Sequence, residues 1–395
     1  MKKKYSPLSQ INLSFFFLFA GWWIGWDTFF SIYTDSIVGN ITLVGAMTAL
    51  YALLKAFFTI PVWYLDTYLP NVTLIRRWKI LYIFTALFYS AAGIFQSIRL
   101  FIIAMILNGL ANPLVVTSYQ NLIRLHSTPS QQSWIFWAFW TAGFLGHAIG
   151  ALLASILILY LDISRLFIWI MIGSLIGLLI DNKIEEPKST NHSNKFLITK
   201  ISEFSLNFLK SFHKLSPQTY KIFFLVSVYG MLNYISYLFI PLLTKSYDFS
   251  LSLIALLFVA IRLPHSSSYF LSVRSDHSNP KKVLLICILL VIMWFLPLTI
   301  THNFFVIIVS SLISSIWIAG IYPIAAGLLT SLVKTNQSGI TTGLQEFFVR
   351  IGEIIGALTF MIWSIFLSLS HIFFALCILL VIIAIIISKE NKQST

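Results

Sequence analysis

Residues 345–358 read QEFFVRIGEIIGAL. They place Glu346, Arg350 and Glu353 in a run that is otherwise apolar and long enough to cross a bilayer. At about 100° per residue, the three positions fall within an arc of roughly 60° on one helical face. An ionisable side chain at bilayer depth costs on the order of 2.5–3.5 kcal/mol on the insertion scale, so such a face belongs against protein or water rather than lipid. Three on one face predict a polar seam inside a helical bundle.

The composition supplies the bundle. Of 395 residues, 58% are apolar and 10% charged, and the mean hydropathy is +0.87. A soluble domain carries about 25% charged residues, so this chain reads as an integral membrane protein. Apolar runs of helical length recur to the end of the sequence, whereas barrel strands would alternate in short segments. We predict twelve spans at 11–33, 41–62, 79–97, 100–123, 133–157, 164–181, 220–243, 249–271, 283–300, 303–331, 340–366 and 370–388. The Lys2–Lys4 cluster before the first run mimics a signal peptide, but the run is too long and lacks a small-x-small cleavage site. Cys287 and Cys377 both fall within spans and read as packing residues, with no disulfide framework or zinc motif.

A formal charge of +13 would suit nucleic acid if it were clustered, but it lies in short loops between spans. Twenty of the 26 Lys and Arg residues fall on the side of the termini, and Arg99, Arg165 and Lys245 fall on the other. The expected topology has cytosolic N- and C-termini in a plasma or inner membrane, with no nucleic-acid partner. The long connection is 182–219, where Leu197, Ile201, Phe204, Phe208, Phe212 and Leu215 recur at helical spacing among Lys200, Lys210 and Lys214. That pattern predicts an amphipathic linker helix on the cytosolic surface.

The halves on either side of the linker repeat one another. GHAIGALL at 146–153 matches GEIIGALT at 352–359, setting His147 opposite Glu353. LL-x6-P at 53–61 matches 256–264, and Pro113 and Arg124 correspond to Pro323 and Lys334. The matches keep order at a separation of about 200–210 residues, the signature of a duplicated six-helix unit.

Six plus six spans, cytosolic termini and a long central cytosolic loop resemble the major facilitator superfamily over the whole chain. The family's loop between spans 2 and 3 typically reads Gly-x-x-x-Asp-Arg-x-Gly-x-Arg-Arg. Here Asp66 takes the acidic position and Arg76 and Arg77 the basic pair, while Val62 and Thr67 replace the glycine and the first arginine. The second half keeps Asp276, Lys281 and Lys282. The resemblance implies a cytosolic gating loop built on Asp66, Arg76 and Arg77. The fifth span, with Gly143, Gly146 and Gly150 followed by Ala151, is similar to the drug and antiporter branch. Close helix packing through small residues accounts for the same pattern without antiport.

The resemblance implies an all-α integral membrane fold of twelve transmembrane helices in two pseudo-symmetric six-helix bundles, 11–181 and 220–388. Spans 3, 6, 9 and 12 would face lipid and the others line a central cavity. The intramembrane ionisable groups sort accordingly: Asp27 in span 1, Lys55 in span 2, His147 in span 5, Arg262 and His265 in span 8, and Glu346, Arg350 and Glu353 in span 11. We assign none to the four outer spans. Asn108, Asn112, Gln120 and Asn233 add neutral polar groups, for ligand binding or helix contacts.

Each candidate has a plainer role beside the functional one. Glu346 and Arg350, spaced i, i+4, neutralise each other on one helix. Glu353 then has no remaining same-helix partner and is the better candidate for function. The resemblance brings spans 2 and 11 together, so Lys55 has Glu346 and Glu353 as partners for a static bridge or a gate. Asp27, in GWWIGWDTFF at 21–30, reads as a carboxylate caged by aromatics, suited to proton coupling, with the tryptophans offered to a flat or cationic ligand. A donor on a neighbouring helix explains it equally. Arg262 meets an anionic group or snorkels to the cytosol. His147 serves as a proton relay or as a helix-contact hydrogen-bonder.

The expected function is secondary transport of a small-molecule solute by alternating access, coupled to protons through Asp27 or Glu353, with a lean to efflux from the fifth span. The expected protein is a monomer in the lipid bilayer, without cofactor, metal site or catalytic residues. A Walker-type G-x-x-x-x-G-K-[ST] is absent, as are G-x-S-x-G and H-E-x-x-H. The rivals are a polytopic enzyme acting on lipid and a transporter-like sensor that binds without translocating.

Overall fold

The computed structural model describes residues 6–68, 70–126, 132–185, 217–267, 280–332 and 338–391. The described residues form helices and no strand. A bilayer offers the backbone no water, so each span has to close its hydrogen bonds within itself.

Span 1 is built from α1 (Pro7–Trp22), a π-helical turn (Trp23–Asp27) and α2 (Phe30–Val38). The N-terminal half continues with α3 (Ile41–Tyr68), α4 (Asn71–Ile94), α5 (Ile98–Leu125) and α6 (Gln132–Leu157). A short α7 (Ile163–Leu166) leads into α8 (Ile168–Asp181) to complete span 6. After the linker come α9 (Pro217–Ser246) and α10 (Leu251–Arg262), the latter extended by a 3-10 turn, Leu263–Ser267. Spans 9 to 12 follow as α11 (Pro280–Phe295), α12 (Phe304–Leu332), α13 (Ser338–Phe366) and α14 (Leu369–Asn391). Among the described residues, nine segments are apolar and long enough to cross a membrane, and two shorter apolar helices lie in α10 and α14. The remaining span, the third in sequence, is α4, whose first turns carry Arg76, Arg77 and Lys79.

Local chemistry sets the boundaries. Ser6 caps α1 by accepting from the Ser9 N–H at 3.3 Å, with Pro7 at the first helical position, where no donor is needed. Gly39 (φ +64°) turns the chain between α2 and α3, and Asn40 caps the new helix through the Thr42 and Leu43 amides. In span 8, Pro264 follows Arg262 closely, and the α-helix gives way to the 3-10 turn there. Its counterpart Pro61 lies within α3, which continues to Tyr68. The amphipathic linker helix expected within 182–219 lies outside the described residues.

The chain divides into two compact units, Met1–Tyr33 with Leu50–Ser216, and Thr34–Ala49 with Pro217–Thr395. In the first, α1 packs on α6 and α8, and α4 on α5 and α8. In the second, α9 packs on α13 and α12, and α11 on α12 and α14. The α1–α6 and α9–α13 crossings are made the same way. A Cβ on Gly146 would meet the Phe16 carbonyl oxygen at 2.6 Å, and one on Gly150 that of Ala20 at 2.5 Å. On Gly352 it would collide with the Ser227 carbonyl oxygen, and on Gly356 it would meet that of Met231 at 3.0 Å. The repeated sequence G-x-x-x-G is therefore a repeated close approach of backbones.

The hairpin Thr34–Ala49 is tied into the second unit by side chains. Lys245 pairs with Asp35 at 3.0 Å, Tyr234 donates to the Thr48 carbonyl at 3.0 Å, and Ser364 reaches Thr42 Oγ1 at 3.2 Å. Gly45 lies against Met361 and Phe360.

Candidate functional site

In the second unit the polar seam of α13 is present and meets side chains of α9 and α12. Arg350 donates to Glu353 Oε1 at 2.6 Å and lies 3.7 Å from Glu346 Oε2. The shorter contact is a charge-assisted hydrogen bond, and the longer is an ion pair without one. This corrects the expectation that Glu346 would take Arg350 and leave Glu353 without a same-helix partner. The i, i+3 position is as close as i, i+4 on a helix surface, and the planar guanidinium turns its fork to Glu353. Glu346 accepts instead from the Tyr322 hydroxyl of α12 at 3.0 Å.

Tyr229, Asn233 and Tyr237, four residues apart, form one partly exposed stripe of α9, while Val228, Leu232, Tyr234, Ile235, Ser236 and Leu238 are buried. From α10, Arg262 donates to Asn233 Oδ1 at 3.3 Å and sets its guanidinium 3.7 Å from the centroid of the Tyr237 ring. Arg262 ends its helix, where the macrodipole favours a cation. Glu346, Arg350, Glu353 and Arg262 all lie close enough to Tyr229 to act on its hydroxyl electrostatically. His265 Nδ1 is tied to the Ile261 carbonyl at 2.9 Å within its own turn.

The first unit holds the other candidates. Asp27 closes the π-turn of span 1 and is partly exposed, whereas Trp23 and Trp26 are fully buried. The Trp26 ring packs on Tyr89 and Phe30 at 4.1 and 4.0 Å and on Tyr51 at 5.6 Å. The expected aromatic cage around Asp27 is thus bundle core, because Trp26 takes the inward face and Asp27, the next residue round the π-turn, is turned away from it. Thr28 Oγ1 donates to the Trp23 carbonyl at 2.5 Å, satisfying an acceptor at the helix break.

Lys55 is buried with its ammonium 4.6 Å from the Tyr51 ring centroid. Tyr51 donates to Asn108 at 3.0 Å, and Asn108 to the Tyr89 hydroxyl at 3.4 Å. Asn112, one turn beyond Asn108, is partly exposed. His147 lies between the rings of Phe19 and Trp23, each 4.6 Å away. Neither unit brings three metal-ligating side chains together among the described residues.

A further cluster escaped the sequence. Lys79 of α4 and Asp181 of α8 form an ion pair at 2.5 Å, with both side chains almost wholly buried. Ser14 of α1 donates to Asp181 at 2.6 Å and accepts from Lys79 at 2.7 Å, and Tyr119 of α5 donates to Asp181 at 3.1 Å. Spans 3 and 6 therefore do carry ionisable groups, at their ends, where each reads as a loop charge. The available signal was that Asp181 closes an apolar run as its only acidic residue.

Of the expected gating loop, Arg76 donates to the carbonyls of Asp181 and Ile184 at 2.7 and 3.5 Å and so caps α8. Arg77 is exposed. Asp66 lies in α3, with its side chain outside what the structure describes.

A family model described as "Major Facilitator Superfamily" matches residues 11–264 and 222–393. A comparison with curated protein sequences finds no significant match. Among solved structures, the chain resembles the nucleoside transporter NupG at 13% identity, covering 98% of this chain and 100% of that one, with a TM-score of 0.77. It resembles the human organic anion transporter MFSD10 (TETRAN) at 13% identity, covering 95% and 100%, with a TM-score of 0.69. A POT family transporter in complex with 5-aminolevulinic acid is similar at 15% identity, covering 98% and 96%, with a TM-score of 0.71. At these identities the likeness is one of fold.

Proposed function

The chain belongs to the major facilitator superfamily, and on that premise we propose that it is a secondary transporter moving a small polar solute by alternating access. The two bundles, 11–181 and 220–388, act as the moving bodies, joined by the 182–219 linker. The charge bias of the loops supports cytosolic termini in a plasma or inner membrane, and the protein works as a monomer.

The observation that carries this reading is the Glu346–Arg350–Glu353 cluster on α13, bonded to Tyr322 of α12 and close to Tyr229 of α9. Charges at this depth are costly and belong in substrate or ion pathways. Nucleosides, organic anions and 5-aminolevulinic acid, named for the structural neighbours, are all small polar molecules.

Glu353 is the proton-coupling group. Protonating it would cancel the ionic hold on Arg350 and turn the guanidinium toward Glu346, so that one proton alters two side chains of the cavity face. Asp27 at the break of span 1 is the alternative coupler. The fifth-span glycines that suggested efflux are accounted for by their approach to α1, and they carry no direction. Glu353→Gln in proteoliposomes should abolish accumulation driven by a proton gradient while sparing exchange of labelled solute across the membrane. Accumulation at the wild-type level would remove Glu353 from coupling, and Asp27→Asn would then be the variant that abolishes it.

A further inference from the structure

The two carboxylates of the α13 cluster are held in different ways. Glu346 accepts from the Tyr322 hydroxyl of α12 on Oε1 at 3.0 Å, and its Oε2 lies 3.7 Å from Arg350 Nη2. Glu353 takes Arg350 Nη1 on its own Oε1 at 2.6 Å. The guanidinium thus spans both acids, bonded to one and about 1 Å short of a bond to the other. Glu353 is also the deeper of the two, with 6% of its side-chain surface exposed against 12% for Glu346. The other titratable groups near the cluster are Tyr229 of α9 and Arg262 of α10, which acts on the same Tyr229 hydroxyl. From α14, which also packs on α13, come His371 in its first turn and Cys377, turned to the Ile292 carbonyl of α11.

Two acids and one base on α13 leave room for one proton. With the proton on Glu353, the Nη1 bond to its carboxylate breaks and Nη2 closes on Glu346 Oε2. The ionised Glu346 then holds Arg350 on one oxygen and Tyr322 on the other. With the proton on Glu346, the Tyr322 bond is spent on a neutral carboxyl. A hydrogen bond to a charged acceptor is roughly twice as strong as one to a neutral acceptor, so the first arrangement is favoured. Burial adds to this by disfavouring charge on the deeper acid. We propose that Tyr322 is a positioning residue of the coupling site: it keeps Glu346 ionised as the landing site of Arg350 and so directs the proton to Glu353. The proposal rests on the coupling role given to Glu353 above.

The test is infrared difference spectroscopy of the detergent-purified full chain, titrated with pH, following the C=O stretch of protonated carboxyls. One band should vanish in Glu353→Gln and persist in Glu346→Gln. Tyr322→Phe should raise the pH at which that band is half-formed by about one unit, because the ionised cluster has lost a donor. Glu346→Gln should lower it, since Arg350 is then left to Glu353 alone. In the Glu346→Gln background, Tyr322→Phe should add no further shift, because the hydroxyl acts through that carboxylate. Tyr229→Phe, which removes a neighbouring hydroxyl 5.1 Å away ring to ring, should leave the midpoint nearly in place. Loss of packing alone would lower the melting temperature without moving the midpoint.

A band that survives Glu353→Gln and vanishes in Glu346→Gln would overturn the proposal. So would an unmoved midpoint in Tyr322→Phe, an equal shift in Tyr229→Phe, or a full shift from Tyr322→Phe in the Glu346→Gln background. Where Tyr322→Phe does not fold, Glu346→Gln decides, and a rise of its midpoint in place of a fall overturns the assignment. The expected spectra beside undiminished accumulation in Glu353→Gln would overturn the coupling reading and not the order of protonation.

Discussion

Arg350 lies between two carboxylates on its own helix, and its fork chooses the nearer in sequence. That choice was open to helical arithmetic only in part. The arc common to Glu346, Arg350 and Glu353 can be read from their spacing, but whether the guanidinium turns to i+3 or to i−4 depends on what else holds each acid. Tyr322 supplies that for Glu346 from another helix. The Lys79–Asp181 pair lay beyond reach for a related reason. Its members are span-terminal residues on different helices, and a charge at the end of an apolar run reads as solvated. Breaking a buried pair by removing one partner costs about 3–5 kcal/mol, whereas replacing both by apolar groups is often neutral. Lys79→Met and Asp181→Leu should therefore each lower the melting temperature sharply. The double variant should recover most of the loss, less the part that belongs to Ser14 and Tyr119. A double variant less stable than both singles would contradict this account.

At the scale of elements, the span count and the internal repeat were legible because they rest on hydropathy and on glycine spacing. The breaks were not. The π-turn at Trp23–Asp27 and the 3-10 turn after Arg262 follow from local hydrogen bonds and from Pro264, and neither interrupts the apolar pattern. The tryptophans of span 1 misled for a similar reason, since rings at helical spacing suit a core and a ligand cage equally. The repeated crossing gives a graded prediction. A methyl on Gly352 would collide with the Ser227 carbonyl, while one on Gly356 meets Met231 at 3.0 Å. Overpacking of this kind costs about 1–3 kcal/mol. Gly352→Ala should thus destabilise more than Gly356→Ala in a detergent melt, and the reverse order would contradict the tight α9–α13 approach.

For the whole molecule, the hairpin Thr34–Ala49 belongs to the span-1 and span-2 sequence yet is fastened to α9 and α13. If alternating access moves the bundles, these contacts have to part in each cycle. Cysteines at Thr42 and Ser364, in a background with Cys287 and Cys377 replaced, should cross-link on oxidation. Transport should then be lost and return on reduction. Full transport by the cross-linked protein would show that the hairpin stays with the second unit throughout.

Coupled movement of a solute is read out by flux. The purified protein would be reconstituted into proteoliposomes, and an inward proton gradient imposed with and without a protonophore while labelled solute is followed. The expected result is gradient-driven redistribution of solute that the protonophore collapses and Glu353→Gln abolishes. Binding without any flux, whatever the gradient, would contradict it and leave a sensor in place of a transporter.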